Sequence, residues 1–449
     1  MKKDKKVTIK GFTKDIYNTG MFFGVNYGFQ KGCSYSTNET PVMDEKGFHA
    51  CENPAKILNR YFPAWSEYHR VEQYGDIVSE DGVVSSTKIT VRKRVGAFAM
   101  IKMARAYVLR HARQYTVDEN GEGRVGVIGT GPNTALANDV PRGANIVSAT
   151  EGEMSYANAS GDNVISAAVG DESVAVVDGK NSKNSVAAIT GENSSVMAKG
   201  KNVVAAAAEC CSISAAKGNN SSAVATGRCS IGQTEGEKTV AAASGELSRA
   251  CADGASAVAV STDGESVTTA MGRCCGAVST GTRASVYSYG KQSMSASTSE
   301  FASVEAVGKR CAAVSTGESS DAKSYGRRTM AATNGAYSGA VCDGEMSAAF
   351  AVGDYCGAIA RGRNSIAVSA VGEASAAAED GAAIAAALGD KGCASGQNGS
   401  WIVLSEWAFD ENGRRVVKDI KAFLVGRDVL ENTFYTLRNG EPVKLSGDC

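Results

Sequence analysis

A glycine returns every nine residues through the middle of this chain, and few folds tolerate that period. Gly152, Gly161, Gly170 and Gly179 set the phase, followed by Gly191 and Gly200 and by Gly218, Gly227, Gly236, Gly245 and Gly254. The series resumes at Gly272, Gly281 and Gly290 and runs from Gly308 to Gly362 in steps of nine, with Glu209 and Ser299 in two slots where Gly is due. The unit reads Gly, two polar residues, a Ser or other small residue, any, Ala, any, Ala or Ser, any. That is a corner plus one short strand. It is too short for helical repeats and lacks the collagen triplet. No Pro occurs between Pro141 and Pro442, as a continuous hydrogen-bond ladder requires.

Twice that period carries more information. The last position of alternate units is charged or variable, as in Asp178, Lys199, Lys217, Glu235, Asp253, Tyr289, Tyr325, Asp343 and Arg361. Between them it is uncharged, as in Thr190, Ala208, Thr226, Ser244, Thr280, Thr298 and Thr316. The expected fold is therefore mainly β: a parallel β-solenoid, or β-roll, whose 18-residue coils comprise two unlike half-turns. Residues 152 to about 396 supply about 13 coils, which at ~4.8 Å each predict a rod of roughly 65 Å.

Strand alternation assigns the sides of the uncharged half-turn. Ala187, Ala205, Ala223, Ala241, Ala259, Ala277, Ala313, Ala331, Ala349 and Ala367 share one side with small neighbours such as Ser221, Cys275 and Cys311, which suits a thin interior. The other side then faces outward with Val204, Val224, Val240, Val258, Val260, Val278, Met294, Val314, Met330, Phe350, Ile366 and Val368. An exposed apolar ladder of that length is an aggregation liability in a lone chain, so these residues are expected to form an oligomer interface. A cyclic trimer is preferred and a dimer comes next. The reverse assignment, with Val inside and Ala outside, is the alternative.

Composition limits the partners. The 449 residues carry 47 Lys+Arg against 48 Asp+Glu, which argues against a nucleic-acid binder. No apolar run is long enough to cross a membrane. The 13 cysteines have no framework spacing and no secretory leader precedes them, so a reducing, cytoplasmic location is expected, with virion association as a further possibility. Of the 30 aromatic residues, 22 lie outside residues 152–396, so ordinary cores belong to the two ends. The expected domains are 1–120 (α+β), 121–150 (a Gly-rich linker and the start of the roll), 151–398 (solenoid) and 399–449 (a β-rich cap).

In the first domain, strand character covers residues 7–11, 67–78 and 83–95. A helix begins at Pro54, and residues 97–115 read as a second helix with the stripe Phe98, Ile101, Ala104, Val108 and Ala112. Its Lys102, Arg105, Arg110 and Arg113 read as a solvated basic face. The string Gly47-Phe-His-Ala-Cys-Glu-Asn-Pro54 is the most motif-like, since His49 beside Cys51 and Glu52 could act as base, nucleophile or ligand. His69 and His111 do not complete a constellation with it, so a structural turn is the preferred reading and no catalytic residue is assigned.

No metal or cofactor is expected. The vicinal pairs Cys210-Cys211 and Cys274-Cys275 have the wrong spacing for zinc, and the mixed corners, such as Gly326-Arg-Arg, would repel calcium. A single Thr column is too little for an ice-binding face. In the closing segment, Trp401-Ile-Val-Leu reads as a strand, and Asp410–Gly413 and Asn439-Gly440 read as hairpin turns.

The segments Lys10-Gly-Phe-Thr-Lys-Asp, Gly47-Phe-His-Ala-Cys-Glu-Asn-Pro and Tyr68-His-Arg-Val-Glu resemble an uncharacterised N-terminal domain of phage and prophage proteins that precedes Ala/Ser/Gly repeats. The ending, Gly399-Ser-Trp-Ile-Val-Leu-Ser-Glu-Trp and Phe434-Tyr-Thr-Leu-Arg-Asn-Gly-Glu, is similar to the close of those proteins. That resemblance implies no activity. The repeats also resemble the β-roll heads of trimeric autotransporter adhesins, which implies a roll whose three copies pack side by side. The reading is of a non-enzymatic, phage-type scaffold or fibre-like component. The alternative is an enzyme or effector centred on His49 with the roll as a handle, and a third possibility is a module that presents its corners to a ligand.

Overall fold

The computed structural model describes residues 5–445 apart from 14–21, 25–26, 44, 53, 55–56, 58–60, 62–65, 81, 112, 116–123, 129–132, 138–145 and 161–162. Strands make up 57% and helix 3%, and a parallel β-solenoid of about 14 turns occupies residues 148–404. The chain forms two compact units, Met1–Cys251 and Ala252–Cys449.

The first unit opens with a seven-stranded antiparallel sheet. Lys6–Thr13 pairs along its length with Ser66–Glu80, which forms a hairpin with Val83–Arg94. Alternation gives this sheet two apolar sides. Phe12, Phe29, Phe48, Val71, Ile89 and Val91 form one cluster. On the other side, Ile9, Cys51, Tyr68 and Val83 join the helix Ala97–His111 (α1) through Met100, Ile101 and Ala104. The predicted helix runs to Tyr115, but Arg113–Tyr115 is a strand paired with Asn133–Ala137, which begins the coils. Arg124–Ile128 likewise pairs with Ile146–Glu151, so the Gly-rich stretch read as a linker already contains rungs of the solenoid. The helix expected from Pro54 falls mostly outside the described residues.

Coils of the two units share one construction. Within each unit the uncharged half-turns stack into a parallel sheet, here the valine wall, in which each residue lies over the residue 18 positions later: Ala187 over Ala205 in the first and Ala313 over Ala331 in the second. The other half-turns form the mixed wall with the same register, as in Ser303 over Asp321 and Val307 over Tyr325. A three-residue insertion after Gly179 lengthens the strand Val174–Lys183, and the register there shifts between Asp178 and Lys183.

The fourth, sixth and eighth residues of each half-turn point inward, and the Ala ladder is fully buried. This settles the two sides in favour of a small-residue interior. It is not purely apolar, because hydroxyls bridge the walls: Ser214 Oγ donates to Ala205 O at 2.7 Å and Ser295 Oγ to Ser288 Oγ at 2.7 Å.

The corners explain the repeat. Gly344 has φ +154, and a Cβ there would lie 1.9 Å from Gly326 O of the coil before, so both backbone angle and stacking distance demand Gly. The third residue is left-handed at nearly every corner, whatever its type: Asn202 (φ 57), Arg310 (φ 63), Tyr337 (φ 56) and Tyr355 (φ 57). The fourth residue closes the corner. Ser338 Oγ donates to Gly317 O (3.1 Å), and Ser365 Oγ to Gly344 O (3.0 Å). Cys311 and Cys356 replace Ser there and make the same bond, to Gly290 O at 3.0 Å and Gly335 O at 2.8 Å. Cys, like Ser, is small and carries a donor, which is why it recurs at this slot.

In the second unit the stack ends on antiparallel hairpins. Trp401–Phe409 lies parallel to Ile384–Ala387 and turns back as Arg415–Leu424, while Tyr435–Arg438 and Glu441–Lys444 close the mixed wall beside Cys393–Gly396. Ile402 and Leu404 are buried, whereas Trp401 is exposed. The new edge is charged, with Arg415 paired to Asp390 and Lys418 to Glu406 at 2.6 Å, which discourages further strand addition.

Candidate interaction surfaces

The chemical side chains of the N-terminal motif have separate partners. His49, on the strand Phe48–Cys51, places Nε2 3.1 Å from Val42 O, Cys51 is buried in the core, and Glu52 pairs with Lys6 at 2.8 Å. The cavity beside His49, lined by Lys10, Cys51, Ile57, Tyr61 and Val83, measures about 40 Å³, room for roughly one water and far below the several hundred Å³ of a ligand pocket. His69 is buried elsewhere, with Nδ1 3.0 Å from Arg92 O and Nε2 3.0 Å from Glu67 Oε1. His111 ends α1. Tyr68 donates to Tyr61 O at 2.6 Å, and burial pushes its phenol well above the usual range.

Among the described residues Cys393 is disulfide-bonded, whereas Cys210, Cys211, Cys229, Cys274, Cys275, Cys311, Cys342 and Cys356 are thiols. Burial raises the thiols of Cys275, Cys342 and Cys356, as expected for inert space-filling residues. Cys211 and Cys229, one coil apart at a corner, are hydrogen-bonded to each other, which holds the Cys211 proton in place and lowers Cys229. Among the described residues no group of three or more His, Cys, Asp or Glu has metal-binding geometry. Among the described residues no helix is long and apolar enough to cross a membrane.

The surfaces of the walls carry more information. In the first unit the outward face of the mixed wall is covered. Tyr156, Val174, Val176, Met197 and Ile213 are buried in one cluster with Met100, Ile101 and Ala104 of α1, with Tyr68 of the N-terminal sheet and with Ile57. Sequence reasoning missed this cover. Its signal was present in part, since Tyr156, Val174, Val176, Met197, Ile213 and Ile231 fill fifth and seventh slots of the early charged half-turns, whereas Ser303, Glu305, Asp321 and Lys323 stand there in later coils alongside Tyr287, Val341 and Ile359.

Among the described residues the valine wall has no such cover within either unit. In the first, Val204 and Val240 are exposed and Val224 is half-buried between them. In the second, Val258, Met294, Met330, Phe350 and Ile366 are exposed, Met294 by 52%, while Val260, Val278, Val314 and Val368 are half-buried. No charged residue stands in the fifth or seventh slot of this wall from Val258 to Val368, whereas the mixed wall of the same unit displays Glu305, Asp321 and Lys323. Glu305 is partly buried, and that burial raises its carboxyl despite nearby Lys323.

The corners form further surfaces. Asn163, Asn184, Asn202 and Asn220 make an amide ladder in the first unit, with Asn202 Nδ2 donating to Asn184 Oδ1 at 3.1 Å. In the second unit Tyr337 and Tyr355 stack with ring centroids 5.2 Å apart.

Residues 6–103 match the model of a domain of unknown function, DUF7666. No curated protein and no solved structure matches the chain. The part of the sequence similar to a known family is thus the N-terminal sheet with the first half of α1.

Proposed function

We propose that this chain is a non-enzymatic structural protein, a phage-type β-solenoid scaffold or fibre-like component whose copies associate through the outward face of the valine wall. A trimer is preferred over a dimer. The observation that carries the reading is the contrast between the walls: in the first unit the apolar face of the mixed wall is buried under α1 and the N-terminal sheet, while the apolar valine wall lies open. Burying such a ladder contributes about 25 cal/mol per Å² removed from water, and its regular coil spacing lets identical chains match side by side. The N-terminal domain is fixed to the coils by a shared core, so assembly of the coils would gather several such domains.

Sedimentation velocity on the full-length chain tests this. The expected result is an oligomer at micromolar concentration that dissociates when Val258, Val278 and Val314 are replaced by Glu, with the circular dichroism of the coils retained. A wild-type chain that stays monomeric removes the proposal.

A further inference from the structure

The two corner columns of the second unit carry opposite charge. Where the mixed wall turns into the valine wall, the second and third residues of successive coils are Arg273-Cys274, Lys291-Gln292, Lys309-Arg310, Arg327-Arg328, Glu345-Met346 and Arg363-Asn364: seven cations and one acid. Arg327 pairs with that acid, Glu345, at 3.1 Å. Among the described residues the other six cations make no ion pair, and all are exposed. At the opposite corner, from Gly264 to Lys391, the same slots hold Glu265, Glu300, Glu318, Asp354, Glu373 and Asp390 against Arg283 and Lys391. Both of these cations are taken, by Glu265 and Glu373, so Glu300, Glu318 and Asp354 stand exposed without an ion pair among the described residues.

The corners also match in shape. Beside the basic column runs a groove of about 650 Å³ lined by Met294, Met330, Met346 and Ile366, with Arg310 and Arg328 on its rim. The acidic column bears three aromatic rings, Phe301, Tyr337 and Tyr355, exposed by 57%, 61% and 53%. Thioethers and guanidinium groups are favourable neighbours for aromatic faces. The heights agree as well: Phe301 belongs to the coil of Met294, Tyr337 to that of Met330, Tyr355 to that of Met346, and Glu318 to that of Lys309-Arg310.

We propose that the basic, methionine-lined corner of one copy docks against the acidic, aromatic corner of a second copy running in the same direction, so that sister valine walls face a common axis parallel to the coil stack. Rotation about such an axis keeps every coil at its own height and brings a basic corner to an acidic one at each contact. Turning a copy end over end with the walls still facing would set basic on basic and acidic on acidic, which charge repulsion opposes. The charged corners thus select parallel over antiparallel assembly, and the apolar wall supplies the adhesion. This inference rests on the self-association proposed above and adds its direction and register.

The test uses two charge-reversal sets in the full-length chain, Glu300→Lys, Glu318→Lys and Asp354→Lys in one, and Lys309→Glu, Arg310→Glu and Arg328→Glu in the other. Each set alone is expected to weaken self-association about 100-fold in a sedimentation dilution series, and the chain carrying both sets to recover to within about 10-fold of wild type, because complementarity is restored. An oligomer that survives either set unchanged, or a double set that does not recover, overturns the corner docking while leaving the wall association standing. A wild-type monomer whose basic corner instead captures a single-stranded oligonucleotide overturns both. Should a reversal set misfold, Tyr337→Asn with Tyr355→Asn keeps residues suited to the left-handed corner. That pair is expected to weaken association about 10-fold, and no change would sink the inference.

Discussion

Asn202 both gives and receives along one corner of the first unit: its Nδ2 donates to Asn184 Oδ1 at 3.1 Å, and its Oδ1 accepts from Asn220 Nδ2 at 3.1 Å. Its φ of 57° is the left-handed conformation that Asn tolerates better than other side-chain-bearing residues. Asn202→Ala is therefore expected to cost about 2 kcal/mol, from backbone strain plus two lost amide bonds, and Asn202→Gly about 1 kcal/mol, from the bonds alone. Urea midpoints for the two variants check the order; an Ala variant more stable than the Gly variant would contradict the strain argument.

Two glycines of the second unit should respond in opposite ways. A methyl group at Gly344 would meet Gly326 O at 1.9 Å, whereas at Gly276 it would meet nothing within 4 Å. Gly344→Ala is expected to destabilise the unit by more than about 3 kcal/mol, since stacking clash adds to the positive-φ penalty, while Gly276→Ala stays within about 1 kcal/mol of wild type. Thermal denaturation of both variants provides the comparison.

The fourth slot predicts a thiol-for-hydroxyl exchange. Ser338 Oγ bonds Gly317 O at 3.1 Å just as Cys356 Sγ, one coil on, bonds Gly335 O at 2.8 Å. Ser338→Cys is expected to be tolerated within about 1 kcal/mol and Ser338→Val to lose about 2 to 3, because the valine leaves a buried carbonyl short of a partner and crowds the corner. Equal losses from the two would show that volume alone governs the slot.

Glu305 provides a pH test. Its carboxyl is raised by partial burial, so the folded state holds this proton more tightly than the unfolded chain does. The stabilisation is present below the ordinary carboxyl pKa of about 4.3 and is lost as pH rises through the higher folded value. Glu305→Gln is accordingly expected to raise the denaturation midpoint at about pH 7 and leave it unchanged at about pH 3.5, below both values. A gain of the same size at both pH values would assign the effect to packing.

How far the sequence could be read depended on whether the cause lay within a half-turn. Gly344, Ser338 and Ala313 act on residues one coil away at fixed spacing, so their roles show directly in the periodicity. The ends of the coils did not. Arg113–Tyr115 continues the helical pattern of α1 locally and becomes a strand because Asn133–Ala137 offers it a ladder. The cover over Tyr156, Val174 and Met197 joins positions of α1 and the N-terminal sheet distant in sequence, and only the change of residue type after the early coils marks it. Of the stripe on α1, Ile101 and Ala104 are buried as expected, while the side chains of Phe98, Val108 and Ala112 lie outside the described residues. His49 stood out by composition, yet its surroundings depend on Val42, Lys10 and Tyr61, which no spacing rule connects to it.

Because each corner closes through backbone angles and a buried hydroxyl or thiol, the exposed second residue bears little structural duty, and the third need only suit the left-handed turn, which Asn, Arg and Tyr all do. Selection can therefore rewrite them rung by rung, and recombination can insert or remove whole coils, without disturbing the frame. A lineage carrying this gene could change both the length of the stack and the chemistry displayed along its edges while the valine wall stays constant.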